Sequence, residues 1–99
     1  MRIELSADAA GFIAAAGGEL WVWAARPRMC CAGAPAWMHA ATAAPAGLIG
    51  FVPVENPHGL SLHFRPAGGM SPDVLEIGLA GRRRPQVAAY WDGCLMAMI

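Results

Sequence analysis

The chain predicts an α+β fold, one N-terminal helix packed on a largely antiparallel β-sheet, in a single domain spanning residues 1–99. Three observations carry this reading. Helical spacing of apolar residues is confined to one early stretch, where Ala9, Phe12, Ile13 and Ala16 fall at i, i+3, i+4 and i+7. From residue 48 onward the apolar positions instead alternate, as half-buried strands require. Turn-forming Gly, Pro, Asn and Asp separate those alternating runs at short intervals. At 99 residues the chain sits in the size range of one domain, and no linker divides it.

The elements follow in order. Residues 2–5 read as a short strand with Ile3 and Leu5 on one face. Ser6 is placed to cap a helix over 7–16, its hydroxyl accepting from a first-turn amide, and Asp8 complements the helix dipole. Gly17-Gly18 then supply the left-handed stop. Residues 19–25 form a strand with Leu20 and Val22 on one face and Trp21 and Trp23 on the other, which places it centrally in a sheet. Arg26-Pro27 ends it, and a loop runs from Arg26 to Pro35. Residues 36–44 are rich in alanine, yet Trp37, His39 and Thr42 between prolines favour a strand.

Strands at 48–55 and 60–65 flank Asn56-Pro57-His58-Gly59, which has the composition of a hairpin turn. Leu75, Ile77 and Leu79 alternate along 74–80, and 86–91 returns after Gly81-Arg82-Arg83-Arg84-Pro85. Asp92-Gly93 is a tight hairpin signal before a last strand at 94–99.

Composition narrows the function classes. Apolar residues make up 57% of the chain and charged residues 14%, against a usual charged fraction of about 25%. Some of that apolar surplus must reach the surface of so small a domain, which predicts a homodimer or a protein partner. The seven basic residues are all Arg and are matched by seven carboxylates, for a formal charge of zero. No global field draws in nucleic acid or an anionic membrane, so neither is expected as a partner. The uncharged stretch between Arg28 and Glu55 is broken by Pro35, Pro45, Pro53 and several glycines, so no membrane span is expected there. Arg2, Glu4 and Asp8 crowd the start and the apolar run 9–16 is short, so a secretion signal is not expected. With three cysteines, an odd number, the expected location is the reducing cytoplasm, with free or metal-bound thiols.

The thiols are the residues whose chemistry exceeds packing. Cys30 and Cys31 are adjacent in the loop, and Cys94 follows the Asp92-Gly93 turn. Thiolates are soft ligands for zinc, iron or an iron–sulfur cluster, usually four to a site. His39 is a possible further ligand, and a site shared between two subunits would relieve the shortage. Arg26 and Arg28 stand just before the pair, where they would favour the thiolate form or bind an anion. Against this stands the reading that all three cysteines are small buried hydrophobes. Arg82, Arg83 and Arg84 form a basic turn, read as solvated. No G-x-S-x-G, H-E-x-x-H, phosphate-cradling loop or paired-carboxylate arrangement occurs, so a conventional hydrolase is not predicted.

The run Ile3-x-Leu5-Ser6-x-x-Ala9-x-x-Phe12-Ile13, then a strand, a cysteine with Gly33 just after, and Gly93-Cys94 near the end, resembles the HesB-like (A-type) iron–sulfur carrier proteins. The resemblance implies a HesB-like fold and an iron or cluster site, commonly at a dimer interface. Cys30 or Cys31 would be the internal ligand and Cys94 a C-terminal one. Two features depart from that family: it carries two C-terminal cysteines as C-G-C, whereas this chain has one and sets its extra cysteine beside the first. The tail from Gly81 to Cys94 also resembles that of short uncharacterised actinobacterial proteins, which implies no function.

The expectation is therefore a non-catalytic metal or iron–sulfur cluster binding protein using Cys30, Cys31 and Cys94. The alternatives are a structural or protein-interaction module with inert buried cysteines, and a thiol redox protein.

Overall fold

The computed structural model describes residues 1–25, 36–66, 72–81, 83–93 and 96–97. The chain runs β1 (Arg2–Leu5), α1 (Ala7–Ala15), β2 (Glu19–Ala25), β3 (Ala36–Ala41), β4 (Val52–Val54), β5 (Ser61–Arg65), β6 (Val74–Ala80), β7 (Gln86–Trp91) and β8 (Met96–Ala97). This is the expected α+β class, dominated by sheet.

Both ends of α1 are built as the sequence requires. The Ser6 hydroxyl accepts the Ala9 amide at 3.2 Å. At the other end the Gly18 amide donates to Ile13 and the Gly17 amide to Ala14, at 2.9 and 3.2 Å. That is the six-to-one and five-to-two pairing of a Schellman stop, and Gly17 and Gly18 enter it at φ of 116° and 81°.

The strands divide between two sheets, ordered β1-β6-β7 and β4-β5-β2-β3-β8. The hairpins β4/β5, β2/β3 and β6/β7 are antiparallel, as is β3/β8. The β1/β6 and β2/β5 pairings are parallel. β2 is the central strand of its sheet, as its two apolar faces predict. Several details depart from the sequence reading: the single sheet expected is two, and the strand expected over 36–44 ends at Ala41. The strand expected over 48–55 shrinks to Val52–Val54, because Gly47 and Gly50 take φ of 77° and 90° and hold the chain out of extended conformation. Asp92-Gly93 does not close a hairpin: β7 pairs with β6 and β8 with β3, so the turn lies between strands of different sheets.

One core joins the two sheets and the helix. Its fully buried large side chains are Ile13 of α1, Leu20 and Val22 of β2, Leu62 and Phe64 of β5, and Leu75 and Ile77 of β6. Each such side chain contributes on the order of 1.5–3 kcal/mol by leaving water. Trp91, 3% exposed, belongs to this core. Among the described residues no polar or charged side chain is fully buried. Nor is any described helix long and apolar enough to cross a membrane.

The turn at 56–59 does more than reverse the chain. His58 Nε2 lies 3.1 Å from the Ile3 carbonyl oxygen, an acceptor that places the ring proton on Nε2. The imidazole thereby occupies part of the free edge of β1, a position otherwise open to another strand.

Candidate functional site: the outward face of the five-stranded sheet

Alternation sets this face. In β2 Leu20 and Val22 point into the core, so Glu19, Trp21 and Trp23 point out. In β5 Leu62 and Phe64 are buried, leaving Ser61, His63 and Arg65 outward. In β3 the buried Met38 leaves Trp37, His39 and Ala41 on the same side.

Register then lines these residues up across the strands. Trp21 stands opposite His63 on β5 and Ala41 on β3, and Pro53 of β4 stands opposite His63. One step along, Trp23 stands opposite Arg65 and His39. The cross-strand pairs stack: Trp21 on His63 with centroids 4.8 Å apart and 14° between planes, Trp23 on His39 at 5.5 Å and 20°. Phe51 meets Trp23 edge-on at 6.1 Å and 81°. Such aromatic pairs add about 0.5–1.5 kcal/mol each beyond the area they cover.

These rings are not a core. Trp37 is 46% exposed and His39 is exposed, while Trp21, Trp23, Phe51, His63 and Arg65 are half-buried. The stacking also gives His39 a partner: the imidazole proposed as a ligand packs its face on Trp23 and leaves its edge to solvent.

The charges on the face are set apart by rows. Glu19 lies at one end, and Glu55, just past β4, lines an open groove of about 450 Å³ with Pro53, Ser61 and His63. Arg65, two residues after His63, and His39, two residues before Ala41 on the antiparallel β3, lie on the far side of the Trp21–His63 stack. Glu19 Oε1 approaches His63 Nε2 to 3.9 Å, outside hydrogen-bond distance, and that nitrogen is covered without a hydrogen-bond partner. Among the described residues Arg65 and Glu55 form no ion pair.

A second concave surface lies on the outer side of the three-stranded sheet. It has a volume of about 380 Å³ and is lined by Glu4, Ser6, Glu76 and Tyr90. Glu4 and Glu76 are register partners, and the Arg2 guanidinium holds the Glu4 carboxylate at 2.7 Å. Both carboxylates are exposed or half-exposed, so this is a solvated surface rather than an enclosed acid pair.

The thiol reading meets the structure only at its borders. Cys30, Cys31, Cys94, Arg26, Arg28 and Arg82 lie outside the described residues. Among the described residues no three His, Cys, Asp or Glu side chains come together as a metal-holding group. The flanking elements do come together. Residues 26–35 join β2 to β3, β8 starts two residues after Cys94, and β3 pairs with β8 through Ala36↔Ala97 and Trp37↔Met96.

Sequence reasoning put Trp21 and Trp23 on one side of their strand but missed the neighbours, His63, Arg65 and His39, that complete the face. The signal was present as two interleaved alternations, Trp21-x-Trp23 and His63-x-Arg65, but only the parallel β2/β5 register sets them side by side. No family model, curated protein or solved structure matches the chain.

Proposed function

We propose that this chain is a non-catalytic protein-interaction module and that the outward face of the five-stranded sheet is its working surface. One observation carries the reading: a contiguous patch of aromatic rings in two adjacent rows, Phe51, Trp23 and the exposed His39 beside Trp21 and His63, covers the middle of a solvent-facing sheet. Solvent-facing sheet surfaces ordinarily carry polar residues. Aromatic side chains with Arg among them, and charges set to the rim, are the composition of a protein contact surface. Trp and Arg are also the residues that most often dominate binding energy.

The test places a benzophenone amino acid at Trp37, or at Glu76 on the outer side of the other sheet, in cells producing the full chain. Photo-adducts with protein from position 37 and none from position 76 are expected. Equal yields from both, or none from position 37, would overturn the reading.

A second reading has its own support. Cys30, Cys31 and Cys94 hold iron, an iron–sulfur cluster or zinc, consistent with the resemblance to A-type carriers. It is favoured by the pairing of β3 with β8, which brings together the described flanks of the two thiol segments. Thiolates suit those metals by their softness. Metal analysis and the absorption spectrum of protein purified anaerobically decide it. Bound metal that is lost in Cys94→Ala, with folding intact by circular dichroism, is the expected result. Colourless, metal-free protein indifferent to that substitution returns the cysteines to packing.

A further inference from the structure

We infer that the partner this face is built for is a second copy of the chain, bound face to face about a two-fold axis along the row Pro53–His63–Trp21–Ala41. The inference rests on the interaction reading above and deepens it. It comes from the order of charges across the face. The fixed charges are Glu19 and Glu55 on one side of that row and Arg65 on the other, where the His39 imidazole lies in the same row as Arg65.

A two-fold axis lying in the interface along the middle row turns one side over the other. Glu19 and Glu55 of each copy then lie over the Arg65–His39 end of the second, and symmetry makes the contact twice. An axis along the strands would instead keep sides aligned and set carboxylates over carboxylates. Juxtaposed like charges are costly, so the same pattern that favours one docking geometry rejects the other. The central row itself is apolar and aromatic, so the desolvated middle carries no fixed charge. The charges left at its two sides are also available: among the described residues Arg65 and Glu55 have no ion-pair partner, and Glu19 reaches only the His63 ring edge at 3.9 Å.

Sedimentation equilibrium of the full chain tests this, with the urea midpoint of each variant measured to confirm folding. The wild-type chain is expected to show a concentration-dependent monomer–dimer equilibrium. Arg65→Glu and Glu19→Arg should each weaken dimerisation by at least about tenfold, the scale of a close charge pair turned repulsive. The double variant, which restores opposite signs, should recover most of the loss. A chain monomeric at every concentration overturns the inference, as does a dimer indifferent to both single changes or a double variant as weak as the two losses combined. Crosslinking from Trp37 separates this failure from the wider one. Adducts to a different protein with a monomeric chain leave the interaction reading standing and remove the second copy as partner. The absence of any adduct from position 37 removes both.

Discussion

Asp92 and Val74 clasp each other twice. The Asp92 carboxylate accepts the Val74 amide at 2.8 Å, and the Asp92 amide donates to the Val74 carbonyl at 2.9 Å. Val74 opens β6 and Asp92 follows β7, so the pair closes the open end of the three-stranded sheet. Asp92 does this at φ of 48°, a left-handed conformation that Asp and Asn tolerate better than other side-chain-bearing residues.

Asp92→Ala therefore removes the acceptor and keeps the unfavourable dihedral. A loss of about 1–2 kcal/mol in urea unfolding is expected, on the scale of a charge-assisted hydrogen bond. Asp92→Asn retains an acceptor and the dihedral tolerance, and should lose less than half as much. Equal losses in the two variants would show that the carboxylate charge, rather than the clasp geometry, is what counts.

Asn56 holds the β4–β5 turn from within. Its Oδ1 accepts the His58 and Leu60 amides at 3.1 and 3.2 Å, and its Nδ2 donates to the Leu60 and Val54 carbonyls at 2.7 and 3.3 Å. Asn56→Asp keeps both acceptor contacts and sets a carboxylate against two carbonyls. It should destabilise by about 1–3 kcal/mol, the cost of leaving paired groups unsatisfied. Amide exchange at Ser61 and Leu62 should accelerate in the variant; unchanged protection there would place the turn outside the cooperative structure.

Gly81 is required by space as well as by dihedral. It sits at φ of 96°, and a Cβ there would lie 2.8 Å from the Arg84 carbonyl oxygen. Gly81→Ala should destabilise by about 1–3 kcal/mol, the range for a residue forced into a disfavoured conformation. Gly59 has φ of 68° but open space around it, so Gly59→Asn should cost under about 1 kcal/mol. If thermal unfolding ranks the two substitutions the other way, the backbone contact is not the controlling term.

Phe64 is 1% exposed at the centre of the core, on the strand whose other face carries His63 and Arg65. Phe64→Leu should cost about 1–2 kcal/mol and Phe64→Ala about 3–5 kcal/mol, because the packed surroundings close only part of the cavity. Trp37→Ala, which removes an exposed ring, should change monomer stability by under about 0.5 kcal/mol. A large loss at Trp37 would mean that its ring contributes to folding rather than to an outward surface.

Most of the fold was legible from local rules. Ser6, the i, i+3, i+4 stripe and Gly17-Gly18 defined α1 to within a residue, because caps and stop act over a single turn. The alternation around Leu20, Leu62 and Leu75 identified β2, β5 and β6 and their buried faces, since a strand repeats every two residues whatever it pairs with. The composition of 56–59 and 81–85 located two true hairpins for the same reason.

What the chain could not announce was which strand lies beside which. Parallel partners such as β1 with β6 and β2 with β5 meet through long crossovers, and no local turn chemistry encodes them. The split into two sheets likewise depends on both inner faces finding one core, so Asp92-Gly93 became a passage between sheets instead of a hairpin. The candidate site belongs wholly to that second level. Sequence alone determined that Trp21 and Trp23 share a side of one strand; the β2/β5 and β2/β3 registers decided that His63 and His39 stack on them. The same registers separated Glu19 from Arg65 across the row, because side chains far apart in the chain become neighbours only when backbone hydrogen bonds fix the alignment of their strands.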